Sequence, residues 1–336
     1  MNQPAQPDTV DAASPAPRDV KGGVSQLGEL LARYAIWLIL VVLLITTVIL
    51  RPQVLNAQYI STQLKQAAPL GVIAVGQTFV ILAAGIDLSV ASVIALMSVM
   101  AANMMAGQDS MVLSISLLCI TAAFLIGILN GFLVTRLRIP SFIATLGTVL
   151  IVQGIRFLYT GGAPKGSIPD ALRFWGRGSV GPIPTPLILW VVIVIIAVFV
   201  ERRTTFGRRL FAVGGKPAAA NLSGVNVNRI TVIAFVICSS LAGIAGLMLT
   251  GFQGLADNWL GRGYELDSIA AVVIGGTALS GGKGSVIGSV AGVLILTVLY
   301  NLVLLLGMDV EFQRIVKGLV IIVAVALYAR MQRRGL

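Results

Sequence analysis

The chain has no histidine, only two cysteines and few charges: of its 336 residues, 11% are charged. Lacking histidine, it lacks the commonest general base and the commonest metal ligand. A hydrolase triad and a metal site are therefore not expected. Cys119 and Cys238 each fall inside an apolar run, which leaves no disulfide framework and no Cys-x-x-Cys redox pair; both read as small packing residues. Soluble chains carry roughly 25% charged residues. With 57% hydrophobic residues and a mean hydropathy of +0.95, the apolar side chains exceed what one water-facing core accommodates and call for lipid as solvent.

What charge there is has one sign in excess, 24 basic residues against 13 acidic, for a net +11. Such an excess suggests nucleic acid until the positions are considered; in a membrane chain, basic residues mark the cytoplasmic side. Apolar stretches bounded by Arg, Lys, Pro or Gly predict ten spans, near 33–50, 63–84, 90–106, 111–135, 141–159, 185–201, 229–251, 265–281, 285–305 and 312–329. With the N-terminus inside, the inner segments hold 15 of the 24 basic residues, among them Arg136, Arg138, Arg202, Arg203, Arg208, Arg209, Lys216, Lys283 and Arg330. The expected fold is all-α, a polytopic transmembrane helix bundle of about ten spans with both termini cytoplasmic. Residues 1–32 read as a disordered cytoplasmic tail, 33–330 as the transmembrane domain with a cytoplasmic loop at 201–229, and 331–336 as a second tail. Apolarity begins only near Tyr34, so the first span reads as an uncleaved anchor. The second and eighth spans contain Pro69 and a dense glycine run, and either could be re-entrant.

Glycine is abundant, at 37 residues. Gly127 with Gly131, and Gly284 with Gly288 and Gly292, have the four-residue spacing that lets helix backbones approach closely in lipid. Gln77, Asp87, Ser89, Asn130, Thr145 and Asn301 are the candidate pathway or hinge residues within apolar surroundings. Asp87 either caps the third span or contacts a solute, and each uncharged polar residue either joins helices or faces a pathway for a polar, uncharged solute. Gly281-Gly282-Lys283-Gly284-Ser285 resembles a phosphate-binding loop but has Thr277 where the first glycine is required and Gly284 where Ser or Thr follows the lysine. No nucleotide site follows from it.

In the 201–229 loop, Pro217 suits the first position of a helix, Ala218 to Leu222 would continue it, and Gly224 would stop it. Such a small-faced helix below the membrane either docks on another protein or is a solvated basic loop. Ala218-Ala219-Ala220, a three-residue gap and Gly224 resemble the Glu-Ala-Ala-x-x-x-Gly loop of ATP-binding cassette (ABC) importer permeases, with Ala218 in place of Glu. Three further regions resemble the ribose-type sugar permeases of that superfamily: Ala84 to Val90, Asn130-Gly131 followed by Ile139 to Gly147, and Gly263 to Gly284.

The resemblance implies a membrane subunit with no catalytic residues and no cofactor or metal of its own. ATP and Mg would sit on a separate cytoplasmic ABC ATPase, coupled through Arg208, Arg209, Pro217, Ala218, Ala219, Ala220, Ser223 and Gly224. A periplasmic sugar-binding protein would deliver a monosaccharide or similar small polar solute, and a second permease copy or a related permease would complete the pore in the bacterial inner membrane. The rival expectation is a self-sufficient secondary transporter or channel, which requires ion-coupling residues at mid-membrane.

Overall fold

In the computed structural model, the described residues are 26–309, 311–313, 315, 316, 318, 319 and 322, with the helix alone described over 26–35. Most of the expected last span and both tails other than 26–32 lie outside them. The helices run α1 (Gln26–Leu50), α2 (Ala57–Leu82), α3 (Val90–Met105), α4 (Val112–Thr135), α5 (Ser141–Thr160), α6 (Asp170–Arg177), α7 (Thr185–Arg203), α8 (Thr205–Gly215), α9 (Pro217–Leu222), α10 (Val227–Gln253), α11 (Tyr264–Ile274) and α12 (Val286–Leu305). Single 3₁₀ turns precede α2 and α4. A two-stranded hairpin, β1 (Ser179–Val180) with β2 (Ile183–Pro184), follows α6.

Among the described residues, six helices are long and apolar enough to cross a membrane: α2, α4 with its preceding turn, α5, α7, α10 and α12; 36–50 and α3 are shorter and apolar. The arrangement follows from which helices carry apolar residues all round and which are covered on one side only. In α2 every residue from Ala67 to Leu82 is buried, and 83% of its apolar window is enclosed, against 22% for α4. Helices α2 and α10 therefore form the centre, α10 packing on α4, α2 and α3. Leu113, Leu117, Phe124 and Leu125 of α4 and Ile195 and Phe199 of α7 remain outward, where lipid replaces a protein neighbour.

Small residues set how closely these helices approach. Gly127 and Gly131 both lie against α10: a Cβ on Gly127 would stand 2.7 Å from Val236 Cα, and one on Gly131 2.8 Å from Val232 Cα. Gly76 of α2 meets Cys238 of α10 in the same way, at 2.8 Å from its Cα. Gly288 and Gly292 pack onto the backbone of Gly275 and Ala271 at the end of α11.

Two expectations change. The spacing predicts Gly284, Gly288 and Gly292 on one helix, but Ser285 caps α12 by accepting from the Gly288 N–H, so Gly284 lies outside it, with φ +145° and against Thr277. The eighth span is helical only to Ile274, followed by a non-helical turn over 275–285. Pro69, in contrast, sits inside an unbroken α2.

Gly127→Leu is expected to lower the thermal midpoint of the detergent-purified protein, an overpacking cost of about 1–3 kcal/mol. Gly147→Leu, where a Cβ would meet nothing within 4 Å, is expected to leave it unchanged. A thiol-reactive dye reads the transition, since Cys119 and Cys238 are both buried and free.

Candidate functional site

The segment between α2 and α3 is non-helical, exposed at Ala84 but buried from Asp87 to Ser89, and every backbone N–H from Ala83 to Ser89 is satisfied. Ala83, Ala84 and Gly85 donate back to α2, at Phe79 O, Ile81 O and Val80 O respectively. Ile86 N–H donates to Ser141 Oγ (3.1 Å) and Leu88 N–H to Thr145 Oγ1 (3.2 Å). The Gln77 carboxamide pairs with both backbone groups of Asp87, its Nε2 donating to the carbonyl and its Oε1 accepting from the N–H, each at 3.2 Å. Asp87 Oδ1 then accepts from the Ser89 N–H (2.8 Å) and the Ser89 hydroxyl (2.6 Å), closing the turn into α3.

Neighbouring helices extend this cluster. Asn130 Nδ2 donates to Ser89 Oγ (2.9 Å), Thr148 Oγ1 donates to Asn130 Oδ1 (2.6 Å), and Ser239 Oγ donates to Asp87 Oδ2 (3.4 Å). Five of the six candidate pathway or hinge residues, Gln77, Asp87, Ser89, Asn130 and Thr145, thus come together and are fully buried. Their hydrogen-bonding capacity is turned on the backbone of the 83–89 turn and on one another. Asn301 stands apart, its Nδ2 donating to Gln63 Oε1 and to Thr297 O. Ser239 was not foreseen; the Ser239-Ser240 pair within the apolar run of α10 gives no sign in sequence of which serine meets a carboxylate, or which carboxylate it meets.

The second feature lies between α7 and α10. Thr204 makes the corner, its hydroxyl donating to Val200 O (2.6 Å) and accepting from the Gly207 N–H (3.2 Å). Helix α8 follows, with Gly207, Leu210, Val213 and Gly214 buried and Arg208 and Arg209 exposed. Its end is pressed against two turns at once: a Cβ on Gly214 would collide with Leu82 O and stand 2.5 Å from Gly282 N. Those turns are themselves joined, Gly282 N–H donating to Leu82 O at 3.0 Å.

Lys216 breaks the chain and α9 begins at Pro217, which needs no N–H there. It stops through bonds from Val225 N–H to Ala220 O and from Gly224 N–H to Asn221 O, with Gly224 at φ +78°. Ala220 is buried, while Pro217, Ala218, Ala219, Ser223 and Gly224 are exposed and Leu222 is 90% exposed. Pro217, Ala218, Asn221, Gly224 and residues 225–228 line an open groove of about 560 Å³ beside it.

Asp87→Ala removes the acceptor of three buried donors and is expected to cost about 1–3 kcal/mol of stability. Asp87→Asn keeps an oxygen at that place and is expected to retain most of it. Thermal unfolding in detergent checks the pair; equal midpoints for both variants and the parent would show that the carboxylate holds nothing together.

Among the described residues, no nucleophile and base come together over a cavity. There is instead a polar cluster around the 83–89 turn and, joined to it through α8, a small exposed helix. Over residues 59–325 the chain matches the family model described as branched-chain amino acid transport system / permease component. It is 42% identical to the ribose import permease protein of Bacillus subtilis over 290 residues, covering 86% of this chain and 90% of that one. It is 39% identical to the ribose import permease protein of Haemophilus influenzae over 304 residues, 89% and 94% of the two chains. Against the galactose/methyl galactoside import permease protein of Escherichia coli it is 35% identical over 318 residues, 88% and 94%. No solved structure matches. This chain, a multi-pass membrane protein and not an enzyme, belongs to the permease family of ABC importers.

Proposed function

We propose that this chain is the membrane gate of an importer that takes a monosaccharide, or a similar small polar solute, from a periplasmic binding protein to the cytoplasm. The observation that carries the coupling part is α9: a short helix exposing Leu222 and the small Ala218 and Ala219 beside an open groove, rooted through α8 in the 82–89 and 275–285 turns. An exposed leucine on so small a face is the kind of anchor that fills a cleft on a protein partner. That partner is a cytoplasmic ABC ATPase, which holds ATP and Mg; this chain holds neither. Closure of the ATPase would pull α9 and α8, and the 82–89 and 275–285 turns would follow.

Ten spans with both termini cytoplasmic put the basic 201–229 segment on the motor side and agree with the placement of positive charge. A second copy of this chain, or a related permease, completes the pathway. A sugar is favoured over an amino acid because the three relatives named above are sugar permeases by name. The polar cluster of the spans is uncharged except for Asp87, whereas a zwitterion calls for charged partners when it leaves water.

Reconstituted in liposomes with its ATPase and binding protein, the chain is expected to take up ribose or galactose, and not leucine, only when ATP is supplied. Concentrative, ion-driven uptake by the chain alone overturns the proposal in favour of a secondary transporter. Gly224→Arg is expected to leave the protein folded, since a Cβ there meets nothing within 4 Å, and the strain of a left-handed arginine is about 1–2 kcal/mol. Its side chain enters the groove, and stimulation of the ATPase is lost; normal transport by this variant would remove α9 from the coupling path.

A further inference from the structure

Glu201 is among the few charged side chains buried in the described structure, at 3% exposed, and nothing above uses it. It stands in the last turn of α7, and its Oε1 accepts from the N–H of Val286, the first residue of α12, at 3.1 Å. Its Oε2 is buried without a hydrogen-bond partner, and Arg202 Nε approaches only to 4.0 Å from a half-exposed position. Helix α12 already has a cap, since Ser285 accepts from the Gly288 N–H at 3.0 Å. A carboxylate brought from another helix to a second amide of the same N-terminus carries a desolvation cost, and what it adds is a tie between elements.

That tie completes a bracket. At its start, α8 leaves the Thr204 corner with Gly207 seated against the backbone of Glu201. At its end, Gly214 is wedged between Leu82 and Gly282, and a Cβ on Gly281 would stand 2.9 Å from Gly214 O. The glycine-rich turn 275–285 is therefore held on one side by the end of α8 and on the other by Glu201 at the root of α8. The Glu201 bond is the polar tie between the corner of α7 and α8 and the first amide of α12, beside the packing of α7 on α12.

We propose that Glu201 is a positioning residue for transport: its bond to Val286 makes the root of α8 and the N-terminus of α12 move as one body, so that displacement of α9 reaches the 275–285 turn and is not absorbed at the corner. This rests on α9 being the contact with the ATPase. Two variants cut the bond from opposite sides. Glu201→Leu fills the same space without an acceptor. Val286→Pro removes the donor at the first helical position, where proline fits, after a Ser285 already extended at φ −161° and ψ 150° as a residue preceding proline requires. Glu201→Gln keeps an acceptor oxygen and serves as the conservative rescue.

The readout is solute moved per ATP hydrolysed by the permease reconstituted with its ATPase and binding protein. Both cutting variants are expected to co-purify with the ATPase and hydrolyse ATP as the parent does, but to move about tenfold less solute per ATP, the loss expected for one hydrogen bond to a charged group. Glu201→Gln is expected to stay within about twofold of the parent. A parental ratio in either cutting variant overturns the proposal, as does a proportional loss of hydrolysis and transport. If the parent complex itself shows no ATP-coupled uptake, the assignment of α9 falls first and this proposal with it; a coupled parent with unaffected variants overturns this proposal alone.

Discussion

A backbone inside a membrane protein has no water to satisfy its N–H and C=O groups, and every non-helical stretch at that depth must find partners within the protein. The two turns at 83–89 and 275–285 are where this chain meets that demand, and much of the interior is arranged around them. Gln77, Ser141 and Thr145 answer successive amides of the first turn, and Asp87 answers the last. In the second, Ala278 N–H donates to Lys283 O at 2.9 Å, Gly282 N–H reaches across to Leu82 O, and Glu201 takes the first amide of α12. The turns thus borrow partners from each other and from four helices. Neither can shift without breaking buried hydrogen bonds elsewhere, which makes a small number of discrete arrangements more accessible than a continuum.

Glycine supplies the other half of that constraint. Apolar burial does not drive helices together in lipid, so contact depends on close fit and interhelical hydrogen bonds. At Gly214 the fit is backbone on backbone: no side chain is interposed between the end of α8 and the two turns to absorb a displacement by changing rotamer. Helix α8 and the two turns are therefore mechanically close although the residues that bond are far apart in sequence. Asp87 and Ser239 are 152 positions apart and Glu201 and Val286 are 85.

Much of this architecture was legible in the order of apolar runs, because a spanning helix announces itself by length alone. The expected bounds of α3, α4, α5, α10 and α12 fall within two residues of those observed. The short helix after Lys216 was also legible, from Pro217 and Gly224. What was not legible has physical causes. Residues 205–215 contain one Arg-Arg pair and one Gly-Gly pair that suggest loop, yet Phe206, Leu210 and Val213 already carry the helical period that buries α8. The segment 161–184 hides α6 and the β1–β2 pair behind glycine and proline. Gln77, Asp87, Ser89, Asn130 and Thr145 were each visible as polar residues in apolar surroundings, but their meeting depends on which helices are neighbours. Asn301 looked the same in sequence and meets Gln63 instead.

The same accounting bears on where the energy for transport enters. A self-driven transporter needs acidic or basic groups that bind and release an ion within reach of the pathway. Among the described residues, the buried carboxylates are committed to structure: Asp87 to Ser89 and Ser239, Glu201 to Val286, and Asp267 to the Tyr300 hydroxyl at 3.2 Å. Asp87 and Glu201 each close a turn or tie a helix end whose amides would otherwise be orphaned, so releasing either to carry an ion would cost the local structure its partner. The described buried carboxylates are thus spent on turns and helix ends. On the proposed reading, work reaches the two turns from outside the bilayer, and α9 is an exposed helix joined to both of them through α8.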